Sequence, residues 1–146
     1  MVYASNQKAS FDYQLLEKFE AGIVLSGHEV KAVKNGKTSI KGAYVKILGG
    51  EAWLVGAIIS PYQPGNVPEN YDSQVSRKLL LKSKELKYLT GKSQEKGLTL
   101  VPIKLYDKNG LIKLEVAISR GKKKYDKRET IKEREFERRQ KRLINN

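Results

Sequence analysis

Few residues of this chain carry the side-chain chemistry of catalysis. His28 is the single imidazole, and there is no cysteine. A thiol nucleophile, a Ser-His-Asp triad and a Cys- or His-built zinc site therefore lack their parts. With no partner in view, His28 reads as an exposed residue in the first turn of a helix. Glu20 falls on the polar side of a strand, and no second carboxylate stands at a spacing that proposes acid–base work. Gly36-Lys37-Thr38 has the look of a phosphate-binding loop, but the first loop glycine would fall at Lys31. The triplet also follows a predicted helix where a strand is needed, so it reads as a helix stop. Nothing here argues for an enzyme, a metal or a cofactor.

The chemistry that does stand out is electrostatic. Gly121-Lys122-Lys123-Lys124-Tyr125-Asp126-Lys127-Arg128 packs five cations around one aromatic ring. That combination suits phosphate contact together with stacking on a base. From Arg120 to Asn146 there are 12 basic and 5 acidic residues, a net of +7; the whole chain carries 29 and 16, a net of +13. The first 119 residues thus hold +6. So large an excess points to a polyanion, and RNA is the favoured one. Lys127 to Leu143 are good helix formers with favourable Glu135–Arg139 and Glu137–Lys141 pairs. Ile131 and Phe136, five apart, give no continuous apolar face, so the segment is expected to be disordered when free and helical on a polyanionic surface.

These features need a scaffold. The chain has 146 residues, 39% of them apolar and 8% aromatic, which is one domain with a core that needs no staples. No apolar run reaches the ~20 residues of a membrane span, and Met1 to Ser10 lacks an apolar signal core. A soluble, cytoplasmic protein is expected. Bulky apolar residues thin out after Ile118, so the folded body is placed at 1–119 and a basic tail at 120–146.

The body is strand-rich. Odd positions from Phe11 to Leu25 are apolar, with Glu17 the exception, and this period of two marks a half-buried strand. Ser26 and Glu29 have capping-box spacing and predict a short helix to about Lys34, closed by Gly36. Tyr44 to Leu48 and Glu51 to Ile59 read as strands joined at Gly49-Gly50. Trp53 and the tyrosines could stack on bases, but the alternating apolar strand around Trp53 places it in the core. Pro61, Pro64, Gly65 and Pro68 make a loop to about Ser76. Leu79, Leu86 and Leu89 suggest a helix over part of Arg77 to Glu95, with Arg77 to Leu81 undecided. Leu98 to Tyr106 and Leu111 to Ser119 form a hairpin around Asn109-Gly110. About five strands and two short helices predict a mainly β protein: a small antiparallel barrel of the OB type with flanking helices.

Taken in order, several segments resemble the SsrA-binding protein family (small protein B). They are Glu20-Ala-Gly-Ile-Val-Leu25, Gly27-His-Glu-Val-Lys31, Arg77-Lys-Leu-Leu-Leu81, Lys96-Gly-Leu-Thr-Leu-Val-Pro102, Gly121 to Arg128 and Ile131-Lys-Glu-Arg134. The resemblance implies an OB-like barrel that binds the tRNA-like domain of transfer-messenger RNA. It further implies delivery of that RNA, with elongation factor Tu, to stalled ribosomes. Asn6, Glu20 and Leu80 match positions on the RNA-binding face, with Lys78 beside them. Gly121, Lys122, Lys123, Lys124, Tyr125, Asp126, Lys127 and Arg128 would contact ribosomal RNA at the small-subunit decoding centre. The segment holding Ile131, Lys132, Arg134 and Ile144 would become helical in the empty mRNA channel.

The chain departs from the family pattern in two places. Relatives often show Asn-His-x-Pro-x-Arg before Arg-Lys-Leu-Leu-Leu; here Asn70 is followed by Tyr71-Asp-Ser-Gln-Val75. Tyr125 stands where some relatives carry His, which predicts stacking without titration near neutral pH. Two other readings stand beside the adaptor: a generic single-stranded-RNA-binding or ribosome-associated structural protein, and a small nuclease.

Overall fold

The computed structural model describes residues 1–63, 65, 69–122, 131, 134–136 and 138–139. Two turn sequences shape its sheet. Asn109 and Gly110 both take positive φ, 53° and 82°, as a tight hairpin turn with matching twist demands. They join two of the longest antiparallel strands, β8 (Leu98–Lys108) and β9 (Leu111–Gly121). Gly49 and Gly50, at 61° and 75°, do the same for β4 (Tyr44–Leu48) and β5 (Glu51–Val55).

The remaining strands are β1 (Val2–Ser5), β2 (Tyr13–Ile23), β3 (Thr38–Ser39), β6 (Ile58–Ile59) and β7 (Arg77–Leu80). The helices are α1 (Ala9–Asp12), α2 (Gly27–Lys34) and α3 (Ser83–Ser93). Pairing runs β8-β4-β5-β7-β2-β9, and β9 returns to β8, so the six strands form a ring. β1 is added outside β8, and β3 and β6 make a separate two-stranded ribbon. The ring is an antiparallel, OB-like barrel, as the sequence predicts. Its thinnest seam is between β4 and β8, where one pair, Val45 and Leu100, is in register.

Inward-facing residues fill the ring: Ala21 from β2, Leu54 from β5, Leu79 from β7, Leu100 and Leu105 from β8, and Leu114, Val116 and Ile118 from β9. Each fully buried leucine or isoleucine contributes about 1.5–3 kcal/mol relative to exposure. Leu89 of α3 and Val33 of α2 are buried in the same cluster.

Several expectations are corrected. Phe11 belongs to α1, so the strand expected from Phe11 to Leu25 is β2, Tyr13–Ile23, and an unexpected strand, β1, precedes it. The break at Glu17 has a cause: the register with β9 slips between Leu15 and Glu17, a β-bulge. Glu51 to Ile59 is not one strand, because the chain leaves the sheet at Gly56 and Ile58–Ile59 pairs with β3. Leu79 sits in β7, so only Leu86 and Leu89 share a helix. β9 continues two residues past Ser119, to Gly121. Pro64 and Pro68 of the expected loop lie outside the described residues.

Candidate nucleic-acid interface

Because odd positions of β2 point inward, Glu20 and Lys18 face outward. Glu20 is opposite Glu115 of β9, and Glu115 is opposite Lys104 of β8. Lys18 and Lys104 each lie 3.4 Å from a Glu115 oxygen. Glu20 has its own partners: the Tyr106 hydroxyl donates to Oε2 at 2.8 Å, and Lys108 Nζ reaches Oε2 at 3.0 Å and Oε1 at 3.2 Å. The hydrogen bond from Tyr106, then that from Lys108, hold the Glu20 carboxyl below the usual carboxylate range. Burial and the same carboxylate push the Tyr106 phenol up, so it stays a donor. Two carboxylate oxygens offer about four acceptor sites, so an ionised Glu20 retains capacity for donors from outside the chain. In an unpaired RNA loop those donors are ribose hydroxyls and base amino groups.

β7 brings the next residues to the same face. Leu80 is in register with Gly22, two positions along from Glu20. A Cβ on Gly22 would stand 3.3 Å from Leu80 Cβ, so the glycine lets Leu80 lie close across β2. Leu80 is 53% exposed and with Leu111 and Lys113 lines a shallow pocket of about 270 Å³. Lys78 pairs with Glu51 at 3.0 Å. The structure thus brings Glu20, Lys78 and Leu80 to one surface. Asn6 is not in that row. Its backbone N–H donates to Ile103 O at 2.8 Å and its side chain to Pro102 O at 3.2 Å, beside the irregularity in β8. It lines a different cleft, of about 490 Å³, with Tyr13, Lys41, Tyr44 and Thr99.

The root of the tail is tied down. Gly121 pairs with Tyr13. Lys122 N–H donates to Asp12 O at 2.9 Å, and its Nζ to Ser10 O at 2.8 Å. Residues 131, 134–136 and 138–139 have helical backbone, and Ile131 is exposed. Arg134 donates to Ser10 Oγ at 3.2 Å, with its guanidinium 5.9 Å from the centre of the Phe11 ring. Lys123, Lys124, Tyr125, Asp126, Lys127, Arg128, Lys132 and Ile144 lie outside the described residues.

Beneath this face sits a buried ion pair. Arg77, undecided from sequence, is in a strand and 3% exposed; Glu29 is 7% exposed. Their shortest contact is 2.7 Å, with a second from Arg77 Nε at 3.1 Å. Arg77 also donates to Ala57 O and Ser73 O. Glu29 completes the expected capping box with Ser26 and has the Tyr71 hydroxyl 3.3 Å from Oε2. Burial pushes the Glu29 carboxyl up, but Arg77, the Ser26 N–H and Tyr71 together outweigh it and hold it low. His28 is corrected here: it is half-buried, its Nε2 accepts the Tyr62 N–H at 3.2 Å, and its ring meets Tyr71 edge-on at 5.0 Å. Trp53 is corrected too. Ala52 and Leu54 take the inward positions of β5, which turns Trp53 to the outer face.

Sequence reasoning missed Tyr106, Lys108 and Glu115 as the setting of Glu20. Their outward phase on β8 and β9 was legible from the buried Leu105 and Leu114, but not which strand they would face.

A family model described as SmpB protein matches residues 3–146. The chain belongs to the SmpB protein family. The SmpB match takes in both the Glu20 face and the tail. An SsrA-binding protein from Sulfurihydrogenibium sp. (strain YO3AOP1) is 50% identical over 137 residues, covering 94% of this chain and 90% of that protein. One from Thermosynechococcus vestitus is 45% identical over 143 residues, covering 98% and 94%. A chain in a solved structure described as "tmRNA-SmpB: a journey to the center of the bacterial ribosome" superposes with a TM-score of 0.68 at 43% identity, covering 82% of this chain and 84% of that one.

Proposed function

We propose that this SmpB-family protein is an RNA-binding adaptor of trans-translation, working in the cytoplasm by binding rather than catalysis. The outer face around Glu20, Lys78 and Leu80 grips the tRNA-like domain of transfer-messenger RNA, with Asn6 contributing from its own cleft. The observation that carries this reading is the outward Glu20 carboxylate, held ionised by Tyr106 and Lys108, on a chain that matches SmpB over residues 3–146 and an SsrA-binding protein over 94% of its length. A carboxylate repels phosphate, so its use on a basic face is to accept hydrogen bonds from ribose or base.

The tail supplies the second contact. Gly121 to Arg128 engages ribosomal RNA at the decoding centre, and the segment with Ile131, Lys132, Arg134 and Ile144, already helical at 131, 134–136 and 138–139 in the free chain, leaves its contact with Ser10 and Phe11 to lie in the vacant mRNA channel. RNA provides the surface that this helix cannot provide for itself. Delivery takes place together with elongation factor Tu. Among the described residues no helix is long and apolar enough to cross a membrane.

Competition binding at near-physiological salt tests the reading. Labelled tRNA-like domain is displaced by elongator tRNA, then by unstructured RNA of equal length. Preference for the tRNA-like domain of more than about tenfold, ~1.4 kcal/mol, is expected. Equal displacement by all three would mean that charge alone binds, and the generic RNA-binding reading would replace this one.

A further inference from the structure

The β4–β5 wall carries a groove that the proposed contacts do not use. Tyr44, Lys46, Leu48, Trp53, Val55 and Ser76 line a space of about 340 Å³ on the outer face of the barrel. Its composition is unusual for a surface that has only to be wet. Tyr44 is 49% exposed and Leu48 60%. The one tryptophan of the chain stands between them, half-buried, with its neighbours Ala52 and Leu54 occupying the core.

The register explains what surrounds the indole. Lys46 of β4 is opposite Trp53, and Trp53 is opposite Lys78 of β7. A lysine therefore stands on each side of the ring, one strand away. Lys46 is exposed and makes no ion pair among the described residues. Lys78 meets Glu51 in a solvent-exposed pair, the kind that is easily exchanged for another anion. An aromatic plane between two cations is the pairing that holds a nucleotide, with stacking for the base and charge for its phosphates. A protein partner fits less well, because lysine is depleted at the centres of protein–protein interfaces.

The groove is also continuous with the face already described. Lys78 and Leu80 alternate on β7, and Leu80 is in register with Gly22, two residues from Glu20. Trp53, Lys78, Leu80 and Glu20 thus lie along one sheet surface.

We propose that Trp53, with Tyr44, Lys46 and Lys78, forms a stacking pocket for a single unpaired nucleotide of the RNA that the Glu20 face binds. The inference rests on the adaptor reading above and extends the footprint on that RNA by two strands. It assigns Lys78 to both halves of the surface: the link between carboxylate recognition and stacking.

Because Trp53 is the only tryptophan, its fluorescence reports the groove and nothing else. The full chain is titrated with the tRNA-like domain of transfer-messenger RNA, following tryptophan emission and, separately, anisotropy of labelled RNA. Quenching is expected to saturate at the RNA concentration where anisotropy saturates. Trp53→Leu, which keeps an apolar side chain, is expected to weaken binding by about tenfold or more. Lys46→Met, at an exposed position, guards against a folding defect; it should weaken binding and lower the salt slope by about one. RNA binding by anisotropy with unchanged emission, and wild-type affinity in both variants, would overturn the groove while leaving the adaptor reading standing. Emission that depends on protein concentration rather than on RNA would assign the groove to a second copy and overturn the proposal. No RNA binding by either signal would overturn both readings.

Discussion

Glu20 and Glu115 stand directly opposite each other on β2 and β9, two carboxylates in one cross-strand pair. Like charges in that position are destabilising. The barrel offsets them separately, with Tyr106 and Lys108 on Glu20 and with Lys18 and Lys104 on Glu115. With those partners in place, neutralising one of the pair would change stability little, so stability alone does not call for both carboxylates. Keeping both is consistent with a carboxylate retained for what it binds.

Glu20→Gln separates those roles. Relief of repulsion and loss of the Lys108 contact nearly cancel, so urea unfolding should show a change within about 0.5 kcal/mol. RNA affinity should fall about tenfold or more, ~1.4 kcal/mol. A large stability loss with unchanged affinity would make Glu20 a structural residue.

The Tyr106 hydroxyl gives a pH signature. With its hydrogen bond and that of Lys108 in place, Glu20 titrates below the ordinary carboxylate range, so it stays ionised as pH falls through 5. Tyr106→Phe raises the Glu20 pKa, and the acid loss of RNA binding should begin at a higher pH than in the parent. Carboxyl NMR resonances followed through the titration check the assignment. An unmoved Glu20 curve would remove Tyr106 from this role.

Arg77 and Glu29 predict stability rather than binding. Arg77→Met leaves a buried carboxylate without its cation, a loss of about 3–5 kcal/mol by denaturant unfolding. The Glu29 carboxyl is held below its unfolded value. Its stabilisation is therefore complete above the unfolded pKa of about 4.3 and is lost as pH falls through the lowered folded value. Glu29→Gln should flatten that acid limb while being less stable at neutral pH. A limb of unchanged steepness would show that other carboxylates carry it.

Tyr71 decides how the altered 70–75 loop is to be understood. Its hydroxyl donates to Ile59 O at 2.8 Å and touches Glu29, so it points into the fold. Tyr71→Phe should cost about 1 kcal/mol of stability and leave RNA affinity within twofold. Affinity loss without a stability change would place Tyr71 at the RNA instead.

What the sequence made legible is local. Ser26 and Glu29 are three residues apart and Asn109 and Gly110 adjacent, so the cap of α2 and the β8–β9 turn need no knowledge of the rest of the chain. The misses are long-range or ambiguous in phase. Arg77 is 48 residues from Glu29, and nothing near Arg77 marks it as buried. Ala52, Trp53, Leu54 and Val55 are apolar at both parities, so the pattern cannot say which pair faces the core. Strand pairing resolves it, seating the small Ala52 and Leu54 inside and leaving the indole outside. For the candidate site, Glu20, Lys78 and Leu80 were named through the resemblance, while the residues that condition Glu20 lie on strands whose neighbours only the closed ring defines.

The β2–β9 pairing also sets a schedule for synthesis. Glu17 faces Ile118, and Tyr13 faces Gly121, so about a hundred residues must be added after β2 before its partner exists. At 5–20 residues per second the wait is roughly 5–20 s. Through that interval β2 has an unpaired edge with Phe19, Ala21 and Ile23 along one side. The barrel can close only when β9, its last strand, is made.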